Sequence, residues 1–178
     1  MKIKSVVYIL ILFTVIFISC DKEKFTVEGM APVYISATDF SVVKSMPPQP
    51  FDNLGKIVSV GKYIFINEKG KGIHVIDNSN PENPGNIRFF NIPGNLEFTI
   101  KDNILYADNS IHLLVIDISN INEIKVLNYI ENLYFDDPVR NPRPEGDYKG
   151  YFECVDKSKG INIGWEMKML EDPMCEAF

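Results

Sequence analysis

The sequence predicts an all-β protein made of two four-stranded units in tandem, flanked by a short N-terminal strand and helix and a C-terminal disulfide-linked hairpin. Three observations carry that prediction. Apolar residues fall in short runs rich in Ile, Val, Phe and Tyr, and clusters of Gly, Pro, Asn and Asp punctuate those runs every eight to ten residues. The segment Gly55–Ile92, moved forty residues along the chain, lands on Asn95–Asn132 without a gap. The composition, 46% hydrophobic and 24% charged over 178 residues with 11 Gly and 11 Pro, is that of an ordinary folded chain. A net charge of -6 argues against nucleic-acid binding, because phosphate neutralisation needs clustered Lys and Arg.

Residues 1–19 read as a targeting segment. Lys2 and Lys4 form a basic start, and every residue from Val6 to Ile18 except Thr14 is apolar. Thirteen residues suit a signal-peptide core and fall short of the roughly 18 that a spanning helix needs. The run ends in Phe17-Ile18-Ser19-Cys20, followed by Asp21-Lys22-Glu23-Lys24. A small residue and a Cys at that point resemble the bacterial lipoprotein cleavage box. The resemblance implies that Cys20 is acylated and becomes the first residue of the mature chain. Loss of Lys2 and Lys4 would make the net charge two units more negative. Several acyl chains on one residue anchor stably, whereas one alone binds marginally. The expected location is therefore the cell envelope, lipid-anchored.

Residues 20–54 read as a tether, a strand at Pro32–Ile35 and a short helix. Ser36 with Asp39 three residues on forms a capping box, and the helix is expected to run to about Met46. Pro47-Pro48-Gln49-Pro50 ends it as a stiff linker.

Residues 55–132 hold the repeat. In the first unit Ile57–Val60, Tyr63–Ile66, Ile73–Ile76 and Ile87–Ile92 read as strands. Gly61, Gly70-Lys71-Gly72 and Asp77-Asn78-Ser79-Asn80-Pro81 separate them. In the second unit Val115-Ile116-Asp117 repeats Val75-Ile76-Asp77, Ser119-Asn120 repeats Ser79-Asn80, and Ile64 falls on Ile104. Four short strands in forty residues is the pattern of one propeller blade. Closed propellers need at least four blades, so two units do not make a closed propeller. Asp77, Ser79, Asp117 and Ser119 are assigned to structural turns, in which the Asp carboxylate accepts backbone N–H groups two residues on. A calcium loop starting at Asp77 would need Gly and Glu where Glu82 and Arg88 stand.

The third strands carry a family resemblance. Gly72-Ile73-His74-Val75-Ile76-Asp77-Asn78-Ser79-Asn80-Pro81 and Leu113-Leu114-Val115-Ile116-Asp117-Ile118-Ser119-Asn120 resemble the LVIVD repeat of secreted and surface β-propeller proteins. The second unit departs from it at Ile121, where the pattern has Pro. With the lipoprotein box, the chain is similar to short lipoproteins of Bacteroidetes, which implies an outer-membrane location. The family supplies no shared catalytic activity.

Residues 133–178 read as a Pro-rich irregular loop between Asp136 and Lys149 and then two strands, Tyr151–Cys154 and Ile161–Trp165, forming a hairpin. Cys154 and Cys175 are the remaining cysteines, and export makes them a disulfide pair. Glu153, Asp156, Glu166 and Glu171 lie near Trp165, the single tryptophan. That combination makes Trp165 a candidate glycan contact, against a packing role under the disulfide. His74 and His112 are expected on strand faces or at the surface. No catalytic set, metal site or cofactor is expected. The function expected is noncatalytic: an anchored β-repeat module that meets an envelope protein or a glycan. An enzyme with a loop-borne site and a truncated relative of a longer propeller stand as alternatives.

Overall fold

The computed structural model describes residues 24–131, 133, 144 and 146–178. The expected leader, Cys20 and most of the Asp136–Lys149 loop lie outside them. Three sheets make up the fold, antiparallel except for one parallel pair, and none closes on itself. Its strands are β1 Thr26–Ile35, β2 Lys44–Met46, β3 Leu54–Val60, β4 Tyr63–Glu68, β5 Gly72–Asp77, β6 Gly85–Asn91 and β7 Phe98–Lys101. After these come β8 Ile104–Asn109, β9 His112–Asp117, β10 Lys125–Ile130, β11 Gly150–Phe152, β12 Ile161–Glu171 and β13 Cys175–Ala177. A single α-helix among the described residues, α1, spans Ala37–Phe40.

The first blade has the order β2-β6-β5-β4-β3, and the second β10-β9-β8-β7. Their shared core holds Phe65, Ile73, Val75 and Phe90 from the first blade against Phe98, Leu105, Ala107, Leu114 and Ile116 from the second. Each large apolar side chain buried there stabilises the fold by about 1.5–3 kcal/mol. The contributing positions differ in parity. In the first blade Phe65 pairs with Val75, whereas in the second Leu105 pairs with Ile116 and Ala107 with Leu114. Residues directly opposite in a pair share a face. The first blade therefore uses odd-numbered residues of its two middle strands, and the second uses odd ones in β8 and even ones in β9. The cause is turn length. Three residues, Lys69–Lys71, join β4 to β5, but only Ser110 and Ile111 join β8 to β9.

That turn corrects the repeat register. β5 and β6 match β9 and β10 at the expected forty residues, but Tyr63 occupies the place of Ile104, one residue further. The alignment of Ile64 with Ile104 therefore fails in the second strand. A slip of one residue turns a strand's side chains to the other face. Phe65 and Leu105, alike in type, sit on opposite faces of their blades. The blades accordingly stack front to back.

Buried amides fix this stacking. Asn67 Nδ2 donates to Asn95 Oδ1 at 2.8 Å and to the Gly72 carbonyl at 3.2 Å. Asn95 Nδ2 donates in turn to Asp108 Oδ1 at 2.7 Å and to the Glu97 carbonyl at 2.9 Å. Asn67 and Asn95 are fully buried. Gly55 makes room for this network, because a Cβ there would lie 2.5 Å from Asn67 Oδ1.

Helix α1 is shorter than expected. Ser36 caps it, its Oγ accepting the Asp39 N–H at 3.0 Å, but the helix ends at Phe40. Lys44–Met46 is instead β2, paired antiparallel with Phe89–Asn91. The open edge of β6 outcompetes a second helical turn that would begin with β-branched Val42 and Val43.

The expected C-terminal hairpin is replaced by a four-stranded sheet of order β12-β1-β11-β13. β1 lies between the two strands that were expected to pair. It runs antiparallel to β12 from Thr26–Glu171 to Ile35–Ile161 and parallel to β11 at Met30. Gly29 permits the close approach, since a Cβ there would meet the Tyr151 carbonyl oxygen at 2.3 Å. Cys154 and Cys175 are bonded with Cα atoms 5.4 Å apart, stapling the β11–β13 side of this sheet.

Two stability predictions follow from these contacts. Replacing both cysteines with Ser should lower unfolding free energy by roughly 3 kcal/mol, measured by urea titration. Asn67→Ala should cost about 1–3 kcal/mol in the same measurement, because it strands buried acceptors between the blades.

Candidate interaction surfaces

The turns after β5 and β9 are built alike. Asp77 Oδ1 accepts the Ser79 N–H at 2.9 Å, and Asp117 Oδ1 accepts the Ser119 N–H at 2.8 Å. Asn80 and Asn120 then accept from Glu82 and Asn122 at 3.2 and 3.0 Å. Hydrogen bonds from Ser79 and Ser119 hold both Asp carboxyls below their ordinary pKa. Asp77 and Asp117 are thus occupied in shaping loops. Among the described residues no three His, Cys, Asp or Glu side chains gather as a metal site.

His74 is not a surface histidine. It is fully buried on β5, between the rings of Phe51 at 4.5 Å and Phe89 at 4.9 Å. Its Nε2 lies 3.0 Å from Glu68 Oε2, across the β4–β5 turn. Glu68 also accepts the backbone N–H groups of Asp52 and Asn53. Burial pushes the Glu68 carboxyl up, but the hydrogen bonds from His74, Asn53 and Asp52 outweigh it and leave the pKa below 4.5. An ionised carboxylate only accepts, so Nε2 carries the proton and donates. The pair straps the Phe51–Asn53 segment over the outward face of the first blade. Asp108, forty residues on from Glu68 but at the structural place of Asn67, accepts the Leu96 and Glu97 N–H groups at 2.8 and 3.1 Å. Each blade therefore ties the chain entering its first strand to an acid on its second.

A cleft of about 470 Å³ lies beside this strap. Ile35 and Ile163 of the terminal sheet, Met46 of β2, Pro50 just before the strap, and Phe89 and Pro93 of the first blade line it, with Glu68 at its wall. Its volume falls within the range of small-ligand sites. Asp52 and Lys71 close one side with an exposed ion pair at 2.8 Å. No single residue type in the sequence signalled this cleft, because three segments far apart in the chain form it.

The second blade offers a different surface. All six residues of β10 are exposed, including Val126 at 45% and Leu127 at 57%. Tyr129, Ile130 and Leu133 are exposed as well, with Tyr129 and Ile130 on opposite faces of the strand. β10 is the edge of its sheet, whereas its counterpart β6 is covered by β2. Tyr129 also stacks on His112 at 4.9 Å, and burial holds the His112 pKa below its ordinary value against the pull of Glu131.

Trp165 is half-buried on β12, opposite Pro32 of β1 and edge-on to Phe152 at 5.7 Å. The nearby carboxylates do not converge on it. Glu153 pairs with Lys159 at 2.8 Å, Glu166 pairs with Lys168, and Asp156 accepts the Ser158 N–H at 2.9 Å. Glu166 follows Trp165 directly and so points to the opposite face.

Comparison with known families bears on the blades. The LVIVD repeat matches residues 55–90 and 99–125, the strands of the first blade from β3 and those of the second as far as the start of β10. The two blades carry the LVIVD repeat. No curated protein and no solved structure matches the chain. The LVIVD matches end where β10 begins its exposed run and leave the terminal sheet outside them.

The Glu68–His74 strap yields a pH prediction. A carboxylate with a folded pKa below its unfolded value adds stability that is complete above 4.5 and is lost as pH falls through the folded value. Thermal unfolding followed below pH 4.5 should therefore show a falling midpoint. Asp52, Asp77, Asp117 and Asp156 shift in the same direction. Glu68→Gln should make the fall shallower, and the difference between the two proteins isolates Glu68.

Proposed function

We propose that this chain is a noncatalytic lipoprotein of the cell envelope, anchored through acyl chains on Cys20, which presents its LVIVD blades to an envelope protein or a glycan. The exposed strand β10 carries the interaction part of this reading. A sheet edge that no strand covers among the described residues, with Val126, Leu127, Tyr129 and Ile130 at the surface, is a form that chains ordinarily cover or pair. β9 pairs with it on one side, and the buried core lies behind. The anchor part rests on Phe17-Ile18-Ser19-Cys20 after the apolar run. The resemblance to outer-membrane lipoproteins supports that membrane as the location.

Two measurements test the reading. Cys20→Ser should leave an unprocessed precursor without acyl chains, seen as a slower-migrating band and a loss of label from a fatty-acid analogue. Normal processing and acylation of that variant would remove the anchor proposal. Affinity isolation of the native chain from its membrane should recover a protein or glycan, and Leu127→Glu should reduce that recovery several-fold. Recovery indifferent to the β10 change would exclude this edge as the contact.

A further inference from the structure

Within the chain, each blade spends one face on the shared core and keeps another. The kept face of the first blade holds Ile64, Ile66, His74 and Ile76, and the chain itself closes it. Phe51 stacks on His74 there, and Glu68 ties down Asp52 and Asn53. The kept face of the second blade holds Tyr106, Leu113, Val115 and Ile130, which share a side through the pairs Tyr106–Val115 and Leu113–Ile130. These positions correspond to Phe65, Ile73, Val75 and Phe90, four residues of the buried core. In the second blade they are half-buried or exposed. The edges show the same asymmetry, since β2 covers β6 but among the described residues no strand covers β10.

We propose that this edge pairs with the same edge on a second copy of the chain, with β10 running antiparallel to its counterpart and the two kept faces side by side. A self-complementary surface builds a closed two-fold pair, whereas a ring or filament needs two complementary ones. Charge favours the antiparallel sense. Lys125 begins the strand and Glu131 follows its end, so antiparallel copies bring opposite charges together at both ends. Parallel copies would set like against like.

The first blade shows that such an edge accepts a strand. β2 adds antiparallel to Phe89–Asn91, just past a bulge at Ile87. β10 bulges at the corresponding Leu127 and leaves Tyr129–Glu131 in the matching place. Asn128 Oδ1 accepts the Tyr129 N–H at 2.9 Å. Pairing exchanges that local bond for a carbonyl of the other copy. The proposal deepens the interaction reading, on which it rests, by naming the protein partner as a copy of this chain.

Sedimentation equilibrium of the full chain extracted in detergent, with the solvent density matched to the detergent, tests it. The expected mass is that of two chains. Leu127→Glu, at a position 57% exposed and so compatible with folding, should give the mass of one chain with unchanged circular dichroism. Lys125→Glu alone and Glu131→Lys alone should each weaken association several-fold, and the double variant should restore it. A one-chain mass at every concentration overturns the proposal, as does a pair indifferent to Leu127→Glu. Failure of the double variant to restore association overturns the antiparallel arrangement. A one-chain protein that still recovers a different envelope partner through β10 would sink the self-pairing alone and leave the broader reading intact.

Discussion

The buried hydrogen bonds from Asn67 to Asn95 and from Asn95 to Asp108 are the constraint on which the arrangement of the blades depends. Apolar contact between Phe65, Val75, Leu105 and Ile116 drives the two sheets together, but such contact is non-directional and tolerates sliding. Amides in a fully buried site do not, since a shift that breaks one bond leaves a donor without water. The network lies close to the turns that end β4 and β8, and backbone bonds beside it run from Gly70 to Asn95 at 2.8 Å and from Gly94 to Gly70 at 2.8 Å. One end of the stack is thereby pinned. The three-residue and two-residue turns can then differ without loosening the interface.

From that pin the two outward faces acquire different fates. Front-to-back stacking of two repeats leaves a front and a back over. The chain closes one with its own Phe51–Asn53 strap, using a buried carboxylate–imidazole hydrogen bond that would be costly if either partner were missing. Lys71 and Asp52 add an exposed ion pair to the same strap, a small contribution by comparison. At the second blade the corresponding apolar positions keep part of their surface in water. The asymmetry follows from chain order, because the segment entering β3 comes from outside the repeat and is free to wrap, whereas the segment entering β7 is consumed as the connection from β6.

Local chemistry was legible in the sequence, and long-range pairing was not. The four repeat strands of each blade, the turns at Asp77 and Asp117 and the cap at Ser36 follow from residue types over a few positions. β-branched runs, turn formers and a Ser–Asp spacing act locally. β2 was missed because Lys44-Ser45-Met46 has no strand signature of its own; the edge of β6 imposes it. The C-terminal pairing was missed for a related reason. Tyr151–Cys154 and Ile161–Trp165 are close in sequence, and nothing in them reveals that Thr26–Ile35 inserts between. Gly29 and Pro32 made that strand read as shorter than its ten residues, yet Gly29 is what lets β11 approach, and β11 pairs no further than Met30. The buried Glu68–His74 pair had a signal that went unread: a Glu ending the apolar strand Tyr63–Asn67, with a His two residues past the turn.

The position of β1 also bears on how an anchored chain would hold its blades. If Cys20 carries the acyl chains, six residue steps separate it from Thr26, a reach of at most about 20 Å. The terminal sheet would then sit next to the bilayer and the blades beyond it. A pull on the anchor would enter the fold at Thr26 and run along β1. There it meets the longest ladder in the described structure, the pairing with β12 from Thr26–Glu171 to Ile35–Ile161. Force parallel to such a ladder loads its hydrogen bonds together instead of one at a time. The Cys154–Cys175 bridge secures the opposite flank, where β11 and β13 share only three pairs. The disulfide thus lies beside a short ladder of the sheet, and an anchor at Cys20 would load its longest one.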